Sequence, residues 1–212
     1  MDKYLIDLIE RMNDTSDHKM ESGYKSTETV SWKALREAEK IDNGEFVQQL
    51  IDFIDKEKNK KNRDRAYFIL GHLAKNTNDY SATQFLIHRV DKETDKYILA
   101  SLLDRIAYLD KQRGTDLNPI FKATKNNKWL VRYSAIQALK NTNDENAEKS
   151  LIDILDQSKD PSDLTYSNST LNRIGTTKAV PHIEKHLSSR KRDVKTSAKL
   201  AIEEIRKRNG NE

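Results

Sequence analysis

Apolar residues recur along this chain at helical spacing, in blocks separated by polar turns. Residues 2–12 place Tyr4, Leu5, Leu8, Ile9 and Met12 on one helical face. Beyond residue 26 the blocks pair up. The pattern predicts helices near 27–41 and 44–57, 63–75 and 80–91, 95–109 and 116–124, 129–141 and 145–156, and 161–174 and 177–187. A closing helix is expected near 191–208. Residues 13–26 are polar and contain Gly23, the pattern of a linker. The expected division is therefore 1–26, an amphipathic helix and linker, and 27–212, the paired helices. The first helix reads as a cap over the first pair, with a detachable partner-binding helix as the alternative.

The pairs are repeats. The pentapeptide Lys-Asn-Thr-Asn-Asp occurs at 75–79 and again at 140–144, 65 residues later. The residues after each copy also recur: Ala82, Leu86, Ile87 and Val90 match Ala147, Leu151, Ile152 and Leu155. Asn and Asp before such a face are good helix caps, because their side-chain oxygens accept from first-turn amides. Val131, Ser134, Ala135, Ala138 and Leu139 recur as Val194, Ser197, Ala198, Ala201 and Ile202. Turn signals between these marks fall about every 33 residues. The unit is thus a helical hairpin, helix A then helix B. Alanines on helix A let neighbouring axes approach closely. A hairpin alone leaves its apolar face open, so neighbours must stack.

VRYSAIQAL (131–139), the second pentapeptide, AEKSLIDIL (147–155), GTTKAVPHIEKHL (175–187) and VKTSAKLAI (194–202) together resemble the HEAT repeat family, in particular its short bacterial forms. The resemblance covers roughly residues 27–208. It implies an all-α, right-handed αα-superhelix of about five hairpins with capping helices at both ends. One helix departs from the pattern. Thr165-Tyr166-Ser167-Asn168-Ser169-Thr170 puts small polar residues where alanine is expected. That helix should be the weakest, either a poorly packed repeat or a functional site.

Composition fits a thin stack: hydrophobic residues are 35% and charged residues 34%, too few core-formers for a filled sphere. The absence of cysteine removes disulfides, thiolate metal sites and cysteine nucleophiles. No apolar run has membrane-spanning length and no secretory leader is expected, so a cytoplasmic protein without membrane contact is the expectation. The formal charge of +4 permits an anionic partner.

Candidate chemistry is sparse. His182 and His186 lie four apart, but Ile183 comes directly after the first and no third ligand is evident. There is no nucleophile elbow and no phosphate-binding glycine loop. No metal or cofactor is expected. The resemblance spans scaffolds, nucleic-acid binders, phycobilin lyases and DNA glycosylases, so fold alone assigns no activity. The leading expectation is a non-catalytic scaffold that binds another protein on a concave surface lined by B helices. Its exposed candidates are Gln48, Gln49, Gln84, His88, Lys149, Asp153 and Glu184. The alternative is nucleic-acid binding by basic inter-repeat links: Lys58, Lys60, Lys61 and Arg63; Lys122, Lys125 and Lys128; Arg190, Lys191 and Arg192. The same lysines also suit ordinary solvated loops. A glycosylase-like or lyase-like enzyme is the least supported reading. Arg65, Arg132 and Lys195 share an early helix-A position, which suggests a ladder with acids inside the stack. Trp32 and Trp129 begin A helices and are expected to pack at repeat junctions.

Overall fold

The computed structural model describes residues 1–18 and 25–210. Among them every regular element is helical, as the period-3.6 pattern requires. The helices are α1 (Lys3–Asn13), α2 (Val30–Ala38), α3 (Phe46–Lys56), α4 (Lys60–Thr77), α5 (Tyr80–Arg89) and α6 (Lys96–Ile106). They continue with α7 (Asn118–Ala123), α8 (Trp129–Ala138), α9 (Glu145–Gln157), α10 (Pro161–Ile174), α11 (Val180–Glu184) and α12 (Arg192–Arg208). Short 3₁₀ turns at Ser26–Glu28 and Thr177–Ala179 precede α2 and α11. The fold class is the αα-superhelix. The chain forms two compact units, Met1–Leu86 and Ile87–Glu212, divided within α5.

In the first unit, α1 packs on α2 and α4. Leu5, Leu8, Ile9 and Met12 are buried, each worth about 1.5–3 kcal/mol of transfer free energy. The start of the expected linker is tied down. Asp17 accepts from the Val30 amide at 2.8 Å, and His18 meets the Ser31 hydroxyl at 2.9 Å. Residues 19–24 lie outside the described residues.

In the second unit the A helices α6, α8, α10 and α12 pack side by side in sequence order. Ala135, Ala138, Ala198 and Ala201 are buried along their contacts, where small side chains permit close approach. α10 corrects the expectation of a weak helix. Ser167, Asn168 and Thr170 are fully buried, and α10 packs against α8, α9 and α12. These residues take the place of alanine by size. Thr170 donates to the Ile136 carbonyl at 3.2 Å, and Asn168 Nδ2 donates to Ser197 Oγ at 3.2 Å. At the C-cap of this helix only glycine fits, because a Cβ on Gly175 would lie 2.6 Å from the Leu171 carbonyl oxygen and 2.9 Å from Ile205 Cδ1.

The recurring pentapeptide has a definite task in each unit. Its first Asn clips the preceding A helix: Asn76 Nδ2 donates to the carbonyls of Glu39 and Ile41, and Asn141 Nδ2 to that of Ala107. Its Asp caps the next B helix: Asp79 accepts from the Ala82 amide and Asp144 from the Asn146 amide. The backbone between differs. α4 runs on to Thr77 and turns left-handed at Asn78, whereas α8 stops at Ala138 and turns at Asn141.

The second turn holds a buried lysine. Lys111 is 4% exposed, and its Nζ donates to the carbonyls of Ile106, Leu109 and Lys140 at 2.9, 2.7 and 2.7 Å. It pairs with Thr142 in an isolated parallel bridge, so it joins the C-terminal ends of α6 and α8. Burial pulls its ammonium down to about 7, with Asp110 opposing.

Candidate functional site

The B helices of the second unit, α7 and α9, leave a groove of about 710 Å³ between them. Phe121 and Ile154, both half-buried, give it an apolar floor. Asn146, Lys149, Asp153 and Gln157 stand exposed along α9 at spacings of three and four, so they share one helical face. Lys125 closes the α7 side. The groove is open and carries both signs of charge. It holds no cluster of acid, base and nucleophile in contact, and among the described residues no group of His, Asp and Glu could hold a metal.

Its walls are fixed from beneath. Asp163, buried at one end of the groove, accepts from Arg132 Nε at 2.7 Å and from Ser158 Oγ at 2.8 Å. Arg132 also bonds Asp160 at 2.8 Å and the Asn126 carbonyl at 3.1 Å. Burial acts to lower Arg132, but Asp163 and Asp160 outweigh it and raise it above the ordinary guanidinium. Burial likewise acts to raise Asp160. The Ser162 amide, the Tyr133 hydroxyl and Arg132 overcome it and hold the carboxyl below its usual range. Glu148, on the buried side of α9, accepts from the Thr176 amide at 2.6 Å and its hydroxyl at 2.9 Å. α9 is thereby anchored to the next repeat while its outer face stays free for contacts.

A second concavity, about 620 Å³, lies in the first unit. Tyr4 and Phe46 stack at 5.9 Å on one side, and Trp32 carries the Arg36 guanidinium 4.5 Å above its ring. Here two of the charged pairs are already closed. Arg11 grips Glu37 with two bonds, and Arg36 pairs with Glu39. Hydrogen bonding to Arg11 holds Glu37 below the usual carboxylate range. Burial and Glu37 push the Tyr4 hydroxyl up to about 12.

Of the residues singled out in sequence, Lys149 and Asp153 meet in the α7–α9 groove, four residues apart. Gln49 accepts from the Asp2 amide at 2.7 Å, and Gln48 bonds Asp52. Gln84 is half-buried in α5. His88 lies 3.7 Å from Asp116, and Glu184 pairs with Arg206 at 2.9 Å. His182 and Lys185 both bond Asp156 at 2.8 Å. Lys185 first, then His182, hold that acid below its usual range. His186 is half-buried, and burial lowers it.

The basic links divide. Lys60, Lys61 and Arg63 lie in the first turn of α4, which begins three residues earlier than expected because Asn59 caps it. Arg63 donates to the carbonyls of Glu57 and Lys58, so it closes the end of α3. Lys58 stays in the link. Lys122 pairs with Asp91 at 3.0 Å. Lys125, Lys128, Arg190, Lys191 and Arg192 are exposed. Trp129 corrects another expectation: it is 61% exposed. Arg65 and Arg132 are half-buried and bonded to neighbours, but Lys195 points to solvent.

Sequence reading missed Phe121, Asn146, Ile154 and Gln157. The last three sit at helical spacing around Lys149 and Asp153, a signal that was present. Phe121 needed the packing of α7.

The family model for HEAT repeats matches residues 117–203, the span from α7 into α12. No curated protein matches the chain. Among solved structures, a designed armadillo repeat protein is similar at TM-score 0.53 and 16% identity, over 95% of this chain and 99% of that one. An engineered protein is similar at TM-score 0.56 and 18% identity, over 98% of each chain. Another is a computationally designed armadillo repeat protein for modular peptide recognition, at TM-score 0.53 and 16% identity, over 95% of this chain and 99% of that one. At these identities the likeness shows the fold.

Proposed function

We propose that this protein is a non-catalytic scaffold whose α7–α9 groove takes an extended segment of a partner protein. The observation that carries the reading is the exposed row Asn146, Lys149, Asp153 and Gln157 above an apolar floor of Phe121 and Ile154. Amides such as Asn146 and Gln157 can donate to and accept from a peptide backbone. Lys149 and Asp153 select charged side chains of opposite sign, and the floor takes one apolar side chain. A long shallow groove with these groups recognises an extended chain better than a compact metabolite. Similarity to a repeat protein designed for peptide recognition agrees with this reading. The test is selection of a random peptide library on the intact protein and on a Lys149→Glu/Asp153→Lys double variant. The two should enrich peptides of inverted charge pattern. Identical peptides from both, or no enrichment by either, would refute it.

A further inference from the structure

The second unit has another exposed surface, which shares only Lys125 with the rim of the groove. The A helices α8, α10 and α12 run parallel, since Arg132 meets Asp163, Thr170 meets Ile136, and Asn168 meets Ser197. Their N-termini therefore share one edge. Three B-to-A links arrive there. They bring Lys125 and Lys128, then Lys159, then Arg190, Lys191 and Arg192, all exposed. Among the described residues none of the six has a hydrogen-bonded or ion-paired acid. The acids of the α10 link, Asp160 and Asp163, are taken by Arg132, and Asp160 also by Tyr133. Asp193, in the first turn of α12, is the remaining exposed acid of the edge.

Two of these helix starts break a local rule. α8 and α12 have lysines, Lys128 and Lys191, at the N-cap, with no side chain capping the first-turn amides. A cation there opposes the helix dipole, where Asp, Asn or Ser would stabilise. Asn59, Asp95, Asp144 and Asp160 cap α4, α6, α9 and α10 in the ordinary way, while α3, α7 and α11 start at Glu45, Leu117 and Ala179 with no side-chain cap and no cation there. The two α-helices with a lysine at the N-cap lie on the same edge.

Aromatic rings continue from it. Trp129, the first residue of α8, lies 5.5 Å from Tyr133, which stacks on Tyr166 of α10 at 5.1 Å. The Tyr133 hydroxyl donates to Asp160 at 2.9 Å, and the Arg132 guanidinium lies 5.2 Å from its ring. The row is held in place, with its end ring in solvent. An exposed flat ring, Trp129, backed by half-buried rings and set beside unpaired cations, matches unpaired bases on a phosphate chain. An acidic polypeptide would use the cations and leave the rings without purpose. A duplex hides its base faces.

We infer that the α8–α10–α12 edge binds single-stranded nucleic acid, with Trp129 stacking on a base and Lys128, Lys191 and their neighbours contacting phosphates. Two interhelix steps of about 10 Å give the edge a length of about 20 Å, a few nucleotides. The inference rests on Trp129, Lys128 and Lys191, none of which lines the groove.

The test is fluorescence anisotropy of a labelled oligothymidylate of about 12 nucleotides with the intact protein, from about 50 to 200 mM salt. With about four phosphates neutralised, log affinity should fall against log salt with a slope near −3. Trp129→Ala should weaken binding about tenfold, through lost stacking, and leave the slope unchanged. Lys128→Glu/Lys191→Glu should weaken binding and flatten the slope. Lys56→Glu/Lys75→Glu, an equal charge change at exposed sites of the first unit, should do little by comparison. Circular dichroism checks that each variant is folded. Absence of binding at 50 mM salt would overturn the inference, as would equal loss in the charge-matched control. Binding indifferent to Trp129→Ala and equally displaced by polyglutamate would also overturn it, and assign the edge to acidic polypeptide.

Discussion

Replacing Lys111 with Met tests whether a lysine holds the turns of the second unit together. Methionine keeps the length of the stem, so no large cavity forms and the ammonium alone is removed. Three carbonyls lose a donor, at 2.9, 2.7 and 2.7 Å. The Ile106 carbonyl still accepts from the Leu109 amide. The carbonyls of Leu109 and Lys140 keep no other described hydrogen bond. A buried acceptor left alone costs about 1–3 kcal/mol, so two cost about 2–6 kcal/mol. Relief from burying the ammonium offsets part of this, leaving a loss of about 3 kcal/mol. At a urea dependence of about 2 kcal/mol per molar, the midpoint of the second unit should fall by about 1.5 M. Urea titration monitored by circular dichroism measures it. The pH dependence gives a second check. The folded lysine is lowered to about 7 from 10.5, so between those values the unfolded chain binds the extra proton. Wild-type stability should therefore rise with pH above about 7, and Lys111→Met should lack that rise. A midpoint unchanged by Lys111→Met would refute the reasoning.

The same contacts set other outcomes. Gly175→Ala should destabilise by about 2 kcal/mol in a thermal melt, because its Cβ would strike the Leu171 carbonyl backbone and Ile205. Asn168→Ala should change stability by less than about 1 kcal/mol. It gives up one bond to Ser197 but also removes a buried Oδ1 that has no partner. Asn76→Ala should cost about 1–2 kcal/mol, from two bonds to the end of α2, read by urea titration. Glu37, Asp156 and Asp160 are held low in the folded state, so their contribution is complete above the ordinary carboxylate values near 4. It should disappear as pH falls through the lowered values, giving an acid-labile protein whose acid midpoint rises in Arg132→Gln.

The helices and their pairing were legible because period and turn chemistry agree along most of the chain. Ala82 and Ala147, or Ser134 and Ser197, announce the same position in hairpins two repeats apart. The pentapeptide was legible as a turn, but its clip onto the preceding A helix was not, since Asn76 and Asn141 reach 34 to 37 residues back. Lys111 was not legible at all. A lysine in a turn reads as solvated, and only the meeting of two helix ends around it makes burial tolerable. The polar run of α10 misled for the converse reason. Ser167 and Asn168 read as weak helix formers, yet their size suits a helix enclosed by three others. For the groove, helical spacing was visible in α9, but its floor depended on how α7 packs. Trp129 could be placed at the start of a helix; its exposure depended on the neighbouring link.

The most direct test of the scaffold reading is hydrogen exchange of the intact protein with and without a peptide selected on it. Added protection on α7 and the exposed face of α9 is the expected result. Protection confined to other helices, with α7 and α9 unchanged, would contradict the claim that this groove is the binding surface.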